Sequence, residues 1–345
     1  MSHRLFFHLL GMLCLLPGLP LAHAAPAADE APAAEQAPAR EDAIVLETLV
    51  VSGKMPGPGL WKVSRDGHVM WILGTVQPVA RRMEWESDEV AGRVAAAEKV
   101  LMPPRVKFDL GIGKFRQLLL LPRMLGARKN PEGERLKDKV ASDDYARWLV
   151  LKERYLGRDR KVETFRPVFA ASELNAAALK KSGLQYRGVV SPLIEKVARQ
   201  HGIEIERPRL EVRIDDPKGA IRDFRKAEID DAECFHQMLD HLENDLNNMR
   251  IRANAWARGD LLTLREVTFT NPSQACLEAV FESRFAKEQG IHDLGERLDA
   301  MWLEHAQAII AGHETSFAAL PMGNLLGEKG QLAALAARGY TVEAP

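Results

Sequence analysis

Several things are scarce in this sequence, and each scarcity excludes something. The 345 residues hold only three cysteines. Cys14 sits in an apolar leader, so at most the pair Cys234 and Cys276 is left to form a disulfide, and no thiol remains for catalysis if they do. Charge of one sign is also missing. The 47 basic and 48 acidic side chains nearly cancel, which gives no general pull toward nucleic acid or anionic lipid. After the first two dozen residues no apolar run approaches the roughly 20 residues needed to span a bilayer. There is no Gly-x-Ser-x-Gly elbow, no phosphate-binding Gly-rich loop and no internal repeat of fixed period.

What is present begins with a leader. Arg4 precedes an apolar stretch from Leu9 to Leu21, broken by Gly18 and two prolines, and Ala22-His23-Ala24 is a small-x-small cleavage site. This reads as a Sec-type signal peptide over residues 1–24, cut after Ala24. A lipoprotein signal through Cys14 fits poorly, because Leu13 stands where a small residue belongs. The expected location is the periplasm or the exterior, with no transmembrane segment after cleavage. Removing Arg4 takes the net charge from −1 to −2.

Residues 25–56 read as a linker rich in Ala, Pro and acidic residues, too poor in apolar surface to offset the cost of ordering. Within it Ile44 to Gly53 (IVLETLVVSG) is β-prone. Glu47 to Gly53 resembles the box by which outer-membrane receptors engage TonB through strand addition; an edge strand of the domain, or a chance β-prone run, explains the same residues. A single domain is expected over residues 57–345, behind the breaker Pro56-Gly57-Pro58-Gly59.

Asp66-Gly67 between two apolar alternating runs predicts a hairpin over Leu60–Ser64 and Val69–Thr75. Val90, Val94 and Ala97 give helical spacing to Asp88–Val100, and Val100–Met102 reads as a strand stopped by Pro103-Pro104. Helices are predicted over Phe115–Leu125, Ser142–Tyr155, Pro167–Lys181 and Pro192–His201, with a strand over Ile203–Glu206. Phe235, Met238, Leu242, Leu246, Met249, Ala253 and Trp256 recur at intervals of three and four, which predicts one long helix ended by Gly259. A second stripe runs from Leu277 through Phe285 and Leu294 to Ile309 after an Asn271-Pro272 start. The two stripes suit a helical hairpin with Cys234 and Cys276 near facing ends, compatible with a disulfide; two separate buried thiols are the alternative. A strand over Phe317–Leu320, a helix over Gly330–Arg338 and a strand over Tyr340–Glu343 close the chain. The expected class is α/β (α+β): a mixed β-sheet core with flanking helices and a large helical insert.

Other candidate constellations read as ordinary structure. Glu233, His236, Asp240, His241 and Asp245 lack the His-x-x-x-His pair of a zincin helix and suit a solvated charged face. Asp215-Asp216 before Pro217 reads as a helix cap. Lys107 to Lys161 is basic, but its interleaved acids and lack of recurring aromatics suit a plain surface, with no nucleic-acid partner.

Three segments together resemble the TraB/GumN family, which is related to the TIKI proteases. They are the Leu60–Gln77 hairpin (LWKVSRDGHVMWILGTVQ), the Trp-x-x-Gly-Asp junction in Ala253–Leu264, and the closing run Met322–Val342 (MGNLLGEKGQLAALAARGYTV). The resemblance implies a mixed α/β core with a helical insert. It also implies a divalent metal held by the histidines of two Gly-x-x-His motifs and by an acidic residue on the strand after the first helix. The ion would lower the pKa of bound water for attack on a carbonyl. This sequence departs at every one of those positions. Gly74-Thr75-Val76 is followed by Gln77, Gly323 is followed by Asn324, and the strand reads Leu101-Met102-Pro103-Pro104. Amides are poor ligands for zinc, manganese or cobalt, and proline offers none. The expectation is therefore an exported, non-catalytic family member, without cofactor, that binds or scaffolds in the cell envelope. The alternative is a metal-dependent hydrolase with a rebuilt site, for which His68 and His313 are the histidines nearest in sequence to the two motifs.

Overall fold

The structure is a computed structural model that describes residues 55–227, 231–266, 283–288 and 290–345. The leader, most of the linker, the TonB-box-like segment, the Asn271-Pro272 start and Cys276 lie outside the described residues.

Strand β1 (Leu60–Arg65) turns into β2 (His68–Thr75) through Asp66 and Gly67, at φ 51° and 86°. Two consecutive positive φ values define the hairpin turn whose twist matches the strands, and Asp-Gly tolerates them. The pair is the seed of a six-stranded mixed sheet of order β10-β1-β2-β9-β4-β7. Its other members are β4 (Lys99–Leu101), β7 (Glu204–Glu206), β9 (Thr315–Pro321) and β10 (Thr341–Glu343). Strands β2, β9, β4 and β7 run parallel to one another, while β1 is antiparallel to both of its neighbours. Five successive residues of β9, Ser316 to Leu320, are buried, so the sheet is covered on both faces there, as a parallel strand with an unbroken apolar run requires.

The covering helices are α1 (Asp88–Ala95) and α5 (Val190–His201), which pack together, and the long helix over Leu294–Gly312. Gly202, at φ 69°, ends α5 in the left-handed conformation that glycine adopts without strain. Helix α1 stops at Ala95, five residues short of the expected end, because Lys99–Leu101 is taken into the sheet. The described chain joins the packed body slightly before residue 57: Met55 bridges Trp85, and the Gly57 N–H donates to the Ala257 carbonyl at 2.8 Å.

Between β4 and β7 the chain builds the helical insert. It contains β5 (Arg105–Asp109), α2 (Lys114–Gly126), α3 (Ser142–Tyr155) and α4 (Pro167–Lys181), with the short pair β3 (Val79–Ala80) and β6 (Leu184–Gln185) tying it to the end of β2. After β7 come β8 (Arg209–Arg213), parallel to β5, and α6 (Pro217–Lys226), which Asp216 caps by accepting from the Gly219 N–H at 2.9 Å. The β5–β8 ladder carries no strand signal of its own, since its residues are mostly charged and exposed.

The long helix expected over residues 235–256 is two helices, α7 (Ala232–Asn244) and α8 (Leu246–Arg258), separated at Asp245 (φ −114°, ψ −3°). Its apolar stripe serves different cores. Phe235, Met238 and Leu242 join Trp148, Leu151 and Leu174 in a core belonging to the insert, whereas Ala255 and Trp256 belong to the core of the sheet. Leu277 and Phe281 of the second stripe lie outside the described residues, and the described parts of the two stripes do not form the expected hairpin. Helix α7 lies on α3 and α4, while Leu294–Gly312 lies on the sheet. Periodicity reports which residues are buried and cannot report against what.

The remaining elements are α9 (Leu261–Glu266), α10 (Arg284–Glu288), α11 (Leu294–Gly312), α12 (Met322–Leu325) and α13 (Gln331–Ala336). No helix among the described residues is long and apolar enough to cross a membrane.

Candidate functional site: the carboxyl ends of the parallel strands

In sheets with parallel strands, ligands are bound outside the carboxyl ends. Here those ends carry the three segments singled out by sequence. Register places Gly74 beside Leu320 and Thr75 beside Pro321, and Leu101 of β4 beside Ala318 of β9. Gln77, Pro103 and Gly323-Asn324 thus leave three parallel strands, adjacent in the order β2-β9-β4, at one edge. The fold brings these degenerate positions to the same end of the sheet.

What stands there is close packing. A methyl group at Gly74 would lie 2.6 Å from Met322 Sδ, 2.7 Å from its Cε and 3.1 Å from Trp61 Cζ3. Met322 is buried, so its thioether fills the space over Gly74. Gly74 is a glycine because a methionine occupies the space a side chain would need. The Gly74 carbonyl accepts from Trp256 Nε1 at 2.6 Å, and Trp256 in turn stands 5.2 Å from Trp85. The Trp-x-x-Gly-Asp junction therefore works as a clamp. Gly259 closes α8 at φ 69°, and any Cβ there would come within 2.8 Å of the Gly57 carbonyl. Asp260 then starts α9 by accepting from the Thr263 backbone at 3.1 Å and from its hydroxyl at 2.7 Å. These contacts hold the Asp260 carboxyl below its ordinary value.

The three degenerate positions each have a local account. Gln77 is exposed, with its amide nitrogen 3.4 Å from where a Cβ on Gly188 would be. Pro103 follows Met102, whose N–H is taken by the Glu206 carbonyl at 2.9 Å. Asn324 donates from Nδ2 to Asp299 Oδ1 on α11 at 2.9 Å, and Gln331 donates to the Asp299 carbonyl at 3.2 Å. The amide at the second histidine position is thus engaged in fastening α12 to α11. An exposed amide, a proline and an asparagine already bonded to a carboxylate are a poor donor set for a transition ion, and the implied metal does not fit these residues.

The alternative ligands are elsewhere. His68 opens β2, and its Nδ1 contacts the His313 carbonyl at 2.8 Å; His313 itself bonds the Ile309 carbonyl at 3.0 Å. Six strand residues at about 3.3 Å each put this pair roughly 20 Å from Gly74, at the opposite end of the sheet.

The acidic and histidine residues of α7 form two groups. His236 contacts Asp144 at 2.8 Å, and Arg147 reaches Asp144, Asp240 and Glu243 at the junction of α3 and α7. The hydrogen bond to Asp144 raises the His236 pKa. His241 departs from the expected solvated face. It is buried, 2.9 Å from Asp245, and burial lowers its pKa. Glu233 stays on the surface and contacts Gln237. Residues the sequence did not single out form a tighter group. Buried Glu163 accepts from Trp148 at 2.9 Å, Lys152 at 2.8 Å and Tyr145 at 3.2 Å. Burial alone would raise that carboxyl, but the three donors outweigh it and hold it below its ordinary value. Cys234 is buried in the first turn of α7.

A six-stranded mixed sheet packed with helices and carrying an inserted helical core defines a mixed α/β protein. Over residues 59–344 the chain matches the TraB/PrgY/gumN family and belongs to it. No curated protein and no solved structure matches it.

Proposed function

We propose that this chain is an exported, non-catalytic member of the TraB/PrgY/gumN family that binds or scaffolds in the cell envelope. The observation that carries the reading is Asn324, whose side chain is committed to Asp299 where the family resemblance implies a metal-binding imidazole. Gln77 and Pro103 support it, because neither restores a ligand. The filling of the space over Gly74 by Met322 supports it too, since a hydrolase needs room for substrate and water beside its metal. Export rests on the leader ending at Ala24. A partner reached through Glu47–Gly53 by strand addition belongs to the same reading; Val50→Pro would abolish capture by a TonB carboxyl-terminal domain.

The deciding measurement is metal content after purification in chelator-free buffer. Expected is far less than one equivalent of any transition ion, with no thermal shift on adding manganese, cobalt or zinc. Near-stoichiometric metal together with chelator-sensitive hydrolysis would overturn the reading in favour of a rebuilt metallohydrolase.

A further inference from the structure

Away from the strand ends, α2 presents an apolar surface that nothing in the described chain covers. Phe115 is 87% exposed, Leu118 65% and Leu119 67%. Between Phe115 and Leu125, at about 100° per residue, Leu121, Leu125, Leu118, Pro122, Phe115 and Leu119 follow one another around an arc of roughly 160°. All six are exposed, while Leu120, on the opposite side, is buried and anchors the helix. Arg116 and Arg123 border the arc. A contiguous apolar face of this kind marks an interaction surface.

Beside it opens a cleft of about 1460 Å³ between α2, α4 and α6. Seven of its lining side chains are basic and three acidic, among them Arg123 from the border of the arc and Arg222, Arg225 and Lys226 from the end of α6. The near-neutral balance of the whole chain thus conceals a local excess of positive charge. The cleft also has a built wall. Arg166 is 5% exposed and fixed by the Phe224 and Ala227 carbonyls. Asn130 is 6% exposed, donates to the Phe165 carbonyl at 2.9 Å, and keeps a buried Oδ1 with no partner.

We propose that α2 and this cleft form a membrane-docking face, with the apolar arc laid into the interface of a bilayer rich in anionic phospholipid. Charge complementarity selects the occupant. An amphipathic helix edged by arginines seats its apolar side among acyl chains, and the adjoining cations take the phosphates. A neutral apolar protein groove would meet the arc but leave the basic cleft uncompensated. The proposal gives the envelope reading a partner and stands independently of the state of the crevice, which metal content tests separately.

The test is co-sedimentation of the mature chain with vesicles of equal parts phosphatidylcholine and phosphatidylglycerol, against phosphatidylcholine alone. Expected is pelleting with the anionic vesicles that declines with salt. The double substitution Leu118→Glu, Leu119→Glu should weaken partitioning about tenfold or more. Arg222→Gln with Arg225→Gln should weaken it about fivefold per charge at low salt. All four positions are exposed, and an unchanged thermal melt confirms folding of each variant. Absence of pelleting, equal pelleting with both vesicles, or indifference to the leucine substitutions would overturn the proposal. So would a concentration-dependent dimer that the leucine substitutions abolish, which would assign the arc to a second copy of the chain.

Discussion

Replacing Gly74 by alanine is the most direct probe of whether the strand-end crevice is filled. The new methyl would sit 2.6 Å from Met322 Sδ, closer than real contacts allow, and a tight 3.1 Å from Trp61 Cζ3. Overpacking by one methyl costs about 1–3 kcal/mol, of which about 0.4–1 kcal/mol is returned by the stiffer unfolded chain. A net loss of about 1–2 kcal/mol is expected. Met322→Ala alone removes a buried side chain and should cost about 2–5 kcal/mol. In the double variant the methyl occupies space that the thioether has vacated. The two losses should therefore fall short of additivity by at least about 1 kcal/mol, the size expected for residues in contact. Urea titration followed by tryptophan fluorescence measures all four proteins. Additivity within about 0.5 kcal/mol would mean that Met322 does not occupy the space over Gly74, and the packed-crevice argument would fail.

Other outcomes follow from contacts described above. Trp256→Phe leaves the buried Gly74 carbonyl without its donor and should cost about 1–3 kcal/mol in chemical denaturation. The two histidines of α7 should pull stability in opposite directions with pH. The His236 pKa is raised, so its contribution is present below about pH 6.5 and lost as pH rises through the folded value. The His241 pKa is lowered, so the folded state is penalised as pH falls through about 6.5. His236→Asn should therefore lose more stability at acid than at alkaline pH, and His241→Asn should flatten the acid slope; parallel melting curves across pH would refute both. If Cys234 and Cys276 are joined, reductant or Cys234→Ser should lower stability by about 3–4 kcal/mol for a loop of about 40 residues, and free-thiol titration should read zero before reduction.

How much of this was legible in the sequence depends on whether the signal was local. Asp66-Gly67 specifies a turn by its own conformational preferences, and the β1–β2 hairpin has the expected limits within a residue. Gly202 and Gly259 end their helices for the same kind of reason. The stripe from Phe235 to Trp256 showed burial correctly but not the division at Asp245, because a helix shared between two cores keeps the same period. The ladder of β5 and β8 was illegible, since its exposed charged residues are held by backbone pairing alone. At the candidate site, the motifs located the strand ends. They could not show Asn324 bonded to Asp299, or the Trp256 indole under Gly74, which are contacts across 25 and 182 positions of chain. The leucines of α2 announce a helix and nothing more, because a stripe facing water has the same spacing as one facing a core.

The clamp at the end of α8 has a mechanical consequence. Gly57 is bonded to Ala257 through its N–H, and its carbonyl lies where a side chain on Gly259 would be. Tension arriving along the chain from its amino-terminal side thus meets this fastening before it reaches the β1–β2 hairpin. The load passes into α8 and, through the Trp256 indole, to the last turn of β2. A tug on the tail is delivered to the rim of the crevice, while the hairpin that closes the other end of the sheet is spared.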